Sequence, residues 1–548
     1  MTFAMPTLPD DPEQLKTLVM EIAASHTTLE ETVEEKESIL QEQELELSYL
    51  REQLRLLRHQ RYGPSSEKLS DEQLLLMLES ESLRDRADEA EIEKTVAVKG
   101  HQRVKRGRRS IPADLPRIEV LHDIPPEEKV CPRDGHTLKR IGEETSEQLS
   151  YTPAQMRVLL HIRPKYACPI CEEGVKIAAP PPQAIPKSMA SPSLLAHVAV
   201  SKYADALPLY RQEKMFERIG VDLPRSTLSS WMIRSGELVQ VMINLLRDEL
   251  LGGPIVQCDE TRCQVLKEPD RRAESKSYLW AQRGGRPGSP VILFDYDPSR
   301  GGEVPKRLLA GYEGYLQVDG YKGYDAFCAE NPGICRVGCW AHARRKFHEA
   351  YKAQQGLKGR KGKPRREQLK KSKANQALDW IRKLYEIEHD ARDLSAEERQ
   401  RMRESRSQPI LDAIKTWLPK AKSQVPPKGL TGVALGYVSK HWKHLTRFVE
   451  DGRLEIDNNL IENAIRPFAL GRRNWLFSDT IQGAEAGANL YSLIETAKAN
   501  GIEPYKYLCL IFRDLPKAVC VEDYERLLPS QWTNESIQAA LDEGQVPI

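Results

Sequence analysis

Three acidic side chains, far apart in the sequence, stand in contexts that suit metal-ion chemistry. Asp259 closes the apolar run Ile255-Val-Gln-Cys. Asp319 closes Tyr315-Leu-Gln-Val. Glu462 lies inside Asp457-Asn-Asn-Leu-Ile-Glu-Asn-Ala-Ile-Arg466. Taken singly, each reads as an ordinary surface or strand-end carboxylate. Taken together, they read as a cluster. Like charges brought close repel and need cations to stay ionised. Hard carboxylate oxygens select Mg²⁺ or Mn²⁺ over Zn²⁺. Two such ions can activate a water or a 3′-hydroxyl and stabilise the leaving oxygen during in-line attack on a phosphodiester. Asp259, Asp319 and Glu462 are therefore the candidate catalytic and Mg²⁺-holding residues. Glu260, Asp297, Asp325 and Asp457 compete with them. On a strand Glu260 faces away from Asp259. Asp325 falls in the following helix, and Asp457 is placed to cap the helix of Glu462.

These acids need elements to hold them. Candidate strands run over 255–258, 278–282, 291–294, 315–318 and 336–340, with helices at 303–310 and 324–329. Consecutive strands, a helix, a strand and then helices imply an α/β layer fold around a mixed sheet. Asp259 then ends the first strand and Asp319 the fourth, and the two meet if those strands are neighbours. Asp319 and Glu462 are 462 − 319 = 143 residues apart. That gap is too long for one connection and predicts an inserted helical subdomain. Within it, residues 358–373 carry nine Lys and Arg, Lys370 and Lys371 among them, against the single acid Glu367. Such a loop can bind a polyanion by counterion release, although a solvated loop has the same composition.

With 548 residues the chain is too long for one core. Its formal net charge of +1 says nothing about partners, so local charge must. It has no apolar run long enough to span a membrane, and no signal-peptide pattern. Ten scattered cysteines fit a reducing compartment, hence a soluble cytosolic protein. From Leu15 to Leu57, Leu15, Leu18, Ile22, Leu29, Val33, Leu40, Leu47, Leu50, Leu54 and Leu57 recur at heptad spacing, which predicts a coiled coil and an oligomer. A charged linker follows, ending in a basic cluster with Arg106, Arg108 and Arg109 that suits phosphate or minor-groove contact. Cys131-Pro-Arg-Asp-Gly-His136 and Cys168-Pro-Ile-Cys171 have the arrangement of a zinc ribbon. Asp134 stands where a second Cys is usual, so Asp134 or His136 completes the site, or the ribbon is held by packing alone. Further on, a helix, a turn at Gly220 and a helix opening Arg225-Ser226-Thr227 have the layout of a helix-turn-helix, a layout that other helical hairpins share.

The ordered set of segments resembles the transposases of the insertion sequence 66 family. The matching stretches are Arg61-Tyr-Gly-Pro-Ser-Ser-Glu-Lys-Leu69, Leu115-Pro-Arg-Ile-Glu-Val, Arg163-Pro-Lys-Tyr-Ala-Cys168, Leu207-Pro-Leu-Tyr-Arg-Gln212, Gln257-Cys-Asp259-Glu-Thr261, Val318-Asp319-Gly-Tyr, Gly338-Cys-Trp-Ala-His-Ala-Arg-Arg345 and the Asp457–Pro467 run. The resemblance implies a multidomain α/β protein with a ribonuclease-H-like, Mg²⁺-dependent core of Asp-Asp-Glu type. It also implies a leucine zipper, a zinc-binding segment and a helix-turn-helix. Such proteins bind terminal inverted repeats, cleave, and join 3′ ends to target DNA, in the bacterial cytoplasm at the nucleoid and in some cases with accessory proteins of the same element. Under it, His342, Arg344 and Arg345 read as near-site or DNA-backbone residues rather than metal ligands, and Arg466, Arg472 and Arg473 as DNA-backbone residues.

The expected organisation is a coiled coil over 11–60, a linker over 61–115, a zinc-binding segment over 116–178 and a helix-turn-helix region over 187–248. The core follows over 250–345 and 451–500, with the insertion over 346–450 between its parts, and a C-terminal helical tail over 501–548 that is polar and peripheral from Glu522. Two further readings use the same residues: a catalytically silent DNA-binding regulator and a structure-selective nuclease.

Overall fold

A computed structural model describes residues 12–62, 156–166, 176–355 and 372–543. The chain divides into two compact units, one of residues 1–63 with 181–548 and one of 64–180. In the second unit the described residues form a two-stranded antiparallel ribbon, β1 (Lys165–Tyr166) with β2 (Lys176–Ile177). Cys131, His136, Cys168 and Cys171 lie outside the described residues, as do Arg106, Arg108, Arg109, Lys370 and Lys371.

The heptad stretch is one continuous helix, α1 (Pro12–Tyr62). Its seam residues Ile22, Leu29, Val33, Leu40, Leu47 and Leu50 are all more than half exposed. A narrow apolar stripe left in water is what a coiled-coil strand presents before it pairs.

Four helices follow in the larger unit: α2 (Pro192–Tyr203), α3 (Leu209–Arg218), α4 (Arg225–Leu238) and α5 (Gln240–Leu251). Ser191 starts α2 by accepting the Leu194 N–H, with Pro192 in the first turn. Gly220, at φ +81°, turns the chain between α3 and α4 in a conformation that costs glycine little.

The strands are β3 (Ile255–Cys263), β4 (Val265–Lys267), β5 (Ser277–Arg286), β6 (Ser289–Asp297), β7 (Gly314–Gln317) and β8 (Ile334–Val337). Helices α6 (Glu303–Leu308) and α7 (Gly323–Glu330) lie on either side of β7 in sequence. Five of the strands form one sheet in the order β6-β5-β3-β7-β8. β5 runs antiparallel to β3 and β6, while β3, β7 and β8 are parallel. Two expectations shift. Asp259 is the fifth residue of a nine-residue strand rather than its end, because β5 keeps pairing β3 as far as Cys263. Trp340 opens a helix instead of ending a strand, and its indole donates to the Leu445 carbonyl at 2.7 Å.

The insertion follows as α8 (Trp340–Gln355), α9 (Lys373–Asp390), α10 (Ala396–Met402), α11 (Gln408–Ser423) and α12 (Leu430–Leu445). Then come α13 (Asn459–Trp475), β9 (Ser478–Thr480), which pairs with β4, and the helices α14 (Ile481–Ala499), α15 (Pro504–Asp514), α16 (Val521–Glu525) and α17 (Asn534–Glu543).

One hydrophobic cluster joins α2–α5, the sheet and α13–α15, through residues such as Leu195, Trp231, Val256, Phe294, Leu490 and Phe512. α14 lies close on β6. Ser492 Oγ accepts the Phe294 N–H at 2.8 Å and Thr496 Oγ1 donates to the Ile292 carbonyl at 2.8 Å. α14 also packs closely on α4, where a Cβ on Gly236 would meet Ala486 at 2.5 Å. The tail is not peripheral as expected, since Leu527, Leu528, Ile537 and Leu541 are buried in the same cluster. Its polar composition hides four apolar anchors.

The insertion has a second cluster of its own, including Trp340, Phe347, Leu384, Ile414, Leu435 and Leu454. Arg403, fully buried in a π-helical turn after α10, ties it together. It pairs with Glu388 at 2.6 and 2.9 Å and donates to the carbonyls of Phe448, Asp451 and Leu454 at 2.7, 3.0 and 2.8 Å. Those carbonyls belong to the segment that leads into α13. Removing one partner of a buried, hydrogen-bonded ion pair costs about 3–5 kcal/mol. Arg403→Met is therefore expected to destabilise the insertion by about that amount, seen as a lower urea midpoint at unchanged slope. Tryptophan fluorescence reports on it directly, because Trp380 and Trp417 meet edge to face at 4.8 Å in the same helices.

Candidate active site

Strand register brings the two aspartates together. β3 pairs with β7 through Ile255↔Tyr315, Val256↔Leu316 and Gln257↔Gln317, an offset of 60 at each pair. Asp259 and Asp319 are also 319 − 259 = 60 apart, one pleat beyond the last pair. Alternate residues of a strand share a face, so each aspartate follows its glutamine on the same side. Gln257 Nε2 donates to Gln317 Oε1 at 2.9 Å, and Gln317 Nε2 donates to the Glu455 carbonyl at 2.7 Å. One buried amide pair thus ties both aspartate strands to the segment that carries the third acid. Past β7, Asp319 Oδ1 accepts the Tyr321 N–H at 2.8 Å, and buried Arg336 donates to the Asp319 carbonyl at 2.7 Å.

Glu462 arrives on the first turn of α13. Asn458, fully buried, pins that turn: its Nδ2 donates to the Cys258 carbonyl at 3.0 Å and its N–H to Cys339 Sγ at 3.3 Å. Asp457 accepts from Tyr385 Oη at 2.7 Å and from Asn459 N and Nδ2 at 3.0 and 2.8 Å. Oδ1 thus takes a backbone N–H of the first turn and Oδ2 takes two side-chain donors, so both oxygens are occupied, and burial pushes the carboxyl up to about 6. Glu462 Oε2 lies 3.4 Å from Arg345 Nη2. Its Oε1 lies 3.7 Å from His342 Nδ1 and has no hydrogen-bond partner.

The acids act on one another through their charges. Asp259's carboxyl is held well above the usual carboxylate range, first by burial and then by the charges of Glu462, Glu260 and Asp319. Glu260 points across the strand, its side chain 2% exposed, and pairs with Arg300, whose Nε is 2.6 Å from Oε1. Burial pushes Glu260 up to about 7 against the pull of Arg300, which stacks on Tyr321 at 4.1 Å. A buried carboxylate that feels the charges of Glu462 and Asp319, and a buried Glu462 oxygen without a partner, are oxygen donors of the kind that a hard divalent cation such as Mg²⁺ or Mn²⁺ takes. The three carboxylates do not all lie within 4.8 Å of one another, as the ligand atoms of Cys339, His342 and Glu462 do.

The arginines divide. Arg345 meets Glu462 and Arg466 sits one turn further along α13, both half-buried. Arg344, on α8, lies close enough to Tyr385 to act on its hydroxyl. Arg472 turns back to Thr261 Oγ1 at 3.4 Å and to the Arg262 carbonyl, so it clasps α13 to β3, whereas Arg473 is exposed. Arg225 and Ser226 are exposed and Thr227 half-buried at the first turn of α4. Sequence reasoning passed over Gln257, Gln317, Asn458 and Cys339, and set His342 aside as a ligand. Two signals were present: Gln-x-Asp occurs twice, at 257–259 and 317–319, and Cys-x-x-His occurs at 339–342.

The family described as "Transposase IS66 family" matches residues 187–486, more than half of the chain. The chain belongs to the IS66 transposase family. Three further segments match descriptions from such proteins: "zinc-finger binding domain of transposase IS66" over 128–172, "Transposase C of IS166 homeodomain" over 49–120 and "IS66 C-terminal element" over 492–530. Two similar proteins of Sinorhizobium fredii (strain NBRC 101917 / NGR234) carry the names "Uncharacterized protein y4jD" and "Uncharacterized protein y4qI". The first is 35% identical over 457 residues, covering 81% of this chain and 86% of its own length. The second is 30% identical over 561 residues, covering 98% and 100%. Among the described residues no helix is long and apolar enough to cross a membrane.

The crowding at Asp259 predicts a stability signature. Its folded pKa is raised, so the folded state keeps this proton over a window where the unfolded chain has lost it. The contribution is complete below the ordinary carboxylate range and is lost as pH rises through the folded value. At neutral pH in EDTA, Asp259→Asn is expected to raise stability by about 0.5–2 kcal/mol and to flatten this decline. Added Mg²⁺ should stabilise the unsubstituted protein and leave the variant unchanged, as read by thermal unfolding across pH.

Proposed function

We propose that the protein is a DNA transposase that binds the terminal inverted repeats of its element, cleaves phosphodiester bonds there and joins 3′ ends to target DNA. The observation that carries this reading is the convergence of Asp259 and Asp319, through a 60-residue register offset, with Glu462 on a helix fastened to the same strand. The sheet supports it: three antiparallel strands followed by two parallel ones, with the first strand central, is the order of a ribonuclease-H-like core. Membership in a transposase family points to the same substrate.

In this reading Asp259, Asp319 and Glu462 hold Mg²⁺ or Mn²⁺. When bound, such ions supply Lewis acidity that activates the attacking oxygen and neutralises the leaving one. The chain's own groups do the positioning. Arg336 and the Tyr321 N–H fix the Asp319 turn. Asn458 aligns Glu462 with β3. Arg345 beside Glu462, and Arg466 and exposed Arg473 further along α13, suit the phosphates of the bound strand, as planar guanidinium groups do. Arg225, Ser226 and Thr227, at the first turn of a 14-residue helix, suit DNA phosphates or base edges. Arg344, the basic segment with Arg106, Arg108 and Arg109, and the loop with Lys370 and Lys371 supply further backbone contacts. Cys131, His136, Cys168 and Cys171 hold a structural Zn²⁺ in the segment that matches the zinc-finger description. The exposed seam of α1 pairs with a second copy, which suits the need to bring two DNA ends together.

A strand-transfer assay with the full chain and duplex oligonucleotides of the element's own ends tests the proposal. Asp259→Asn and Glu462→Gln are expected to bind these ends normally and to lose more than about a hundredfold of the Mg²⁺-dependent cleavage, since even the partners of metal ligands carry 10–100-fold effects. Undiminished cleavage by either variant would refute the assignment.

A further inference from the structure

Cys339 Sγ, a ring nitrogen of His342 and a carboxylate oxygen of Glu462 lie within 4.8 Å of one another. The chemistry above uses only the last. Cys339 immediately precedes α8 and His342 follows in its first turn. His342 Nδ1 and Glu462 Oε1 are 3.7 Å apart, too far for a hydrogen bond, and both atoms are buried with no partner. Two buried polar atoms that face each other unsatisfied are a cost unless a third body joins them. Arg345 attends the other carboxylate oxygen, which leaves Oε1 to face the imidazole.

The sulfur accepts N–H groups from Asn458, at 3.3 Å, and from His342. Burial and the charges of Asp457 and Glu462 favour the protonated thiol, so a metal ion has to displace that proton on binding. Capping of α8 alone would explain the sulfur, and a serine hydroxyl would serve as well, but capping leaves the two orphaned atoms unaccounted for.

We propose that Cys339, His342 and Glu462 form a second metal site, selective for a thiophilic divalent ion such as Zn²⁺, which shares Glu462 with the Mg²⁺ site. Sulfur, imidazole nitrogen and one oxygen make a three-ligand set with an open fourth position, which suits Zn²⁺ and not Mg²⁺. Ligands about 2.0–2.3 Å from a tetrahedral ion lie about 3.3–3.8 Å from each other. The His342–Glu462 pair already has that spacing, and only the sulfur has to close in. An ion held there occupies Glu462 Oε1, so Zn²⁺ and Mg²⁺ compete for one carboxylate. Binding at this site stands without the transposase reading; only its inhibitory effect depends on it.

The test is a Co²⁺ titration of the metal-stripped full chain, read by stoichiometry and by the thiolate-to-cobalt charge-transfer band. Cys168→Ser/Cys171→Ser, which disables the zinc-binding segment, should keep a thiolate band that saturates at one equivalent. Adding Cys339→Ser to it should abolish that band, and adding His342→Gln instead should weaken the binding that the band reports by at least about tenfold, as loss of even an outer-shell partner does. A thiolate band that survives Cys339→Ser in that background, or one that is missing before it, overturns the site. Asp259→Asn separates the two proposals, because it removes the Mg²⁺ chemistry and should leave Co²⁺ binding in place. In cleavage assays Zn²⁺ should raise the Mg²⁺ needed for half-maximal rate, and by at least about tenfold less in Cys339→Ser, each protein compared with its own zinc-free value. Equal inhibition of both proteins would overturn the competition.

Discussion

Two glutamine amides meet at 2.9 Å inside the sheet, and the second passes its own N–H on to the Glu455 carbonyl. Buried polar groups are costly unless paired, so a pair like this holds its strands to one alignment. The alignment matters because strands alternate faces: a slip by one residue would turn every side chain of β3 to the other side. With Gln257 opposite Gln317, Asp259 and Asp319 emerge beside each other where the shorter strand ends. The same hydrogen-bond chain reaches the backbone seven residues before Glu462. All three acids therefore depend on one polar seam in an otherwise apolar layer.

That seam holds together groups that oppose one another. Burial and three neighbouring carboxylates work against charge on Asp259. The fold sustains the crowding by fastening the backbone from outside: Arg336 at Asp319, Asn458 between β3 and α8, Arg472 from α13 to the end of β3. Glu260 is taken out of the cluster by Arg300. Asp457 is taken out by Tyr385 and Asn459. A site arranged in this way gives up stability in the absence of cations and recovers it when they bind, a common relation between function and stability.

The insertion is more than a spacer. It supplies Arg345 and His342 from α8, Cys339 from the position just before it, Tyr385 from α9, and the Arg403 clamp on the stretch of chain that re-enters the core. Its own hydrophobic cluster keeps these groups in place. Glu462 thus meets groups of both parts of the unit: the carboxylates of the sheet on one side, and an imidazole, a thiol and a guanidinium on the other. This is why one carboxylate can be contested by a hard and a soft ion.

The types and order of elements were legible in the sequence, because hydrophobic periodicity is a local property. The long helix, the turn at Gly220, the strands near 255 and 278 and the two aspartates at the ends of apolar runs all follow from it. The 143-residue gap announced an inserted subdomain, and the burial of the tail escaped only because four apolar anchors are diluted in polar sequence. What local pattern does not contain is partnership. That β7 lies beside β3, that Tyr385 occupies Asp457, that Arg472 holds a strand and that Cys339 and His342 face Glu462 are results of long-range pairing. Side chains dozens to hundreds of residues apart acquire these roles only when the sheet register and the insertion's packing bring them within a few ångströms. Residue types and spacing decided which chemistry was available to this chain, and the tertiary structure decided which atoms meet to perform it.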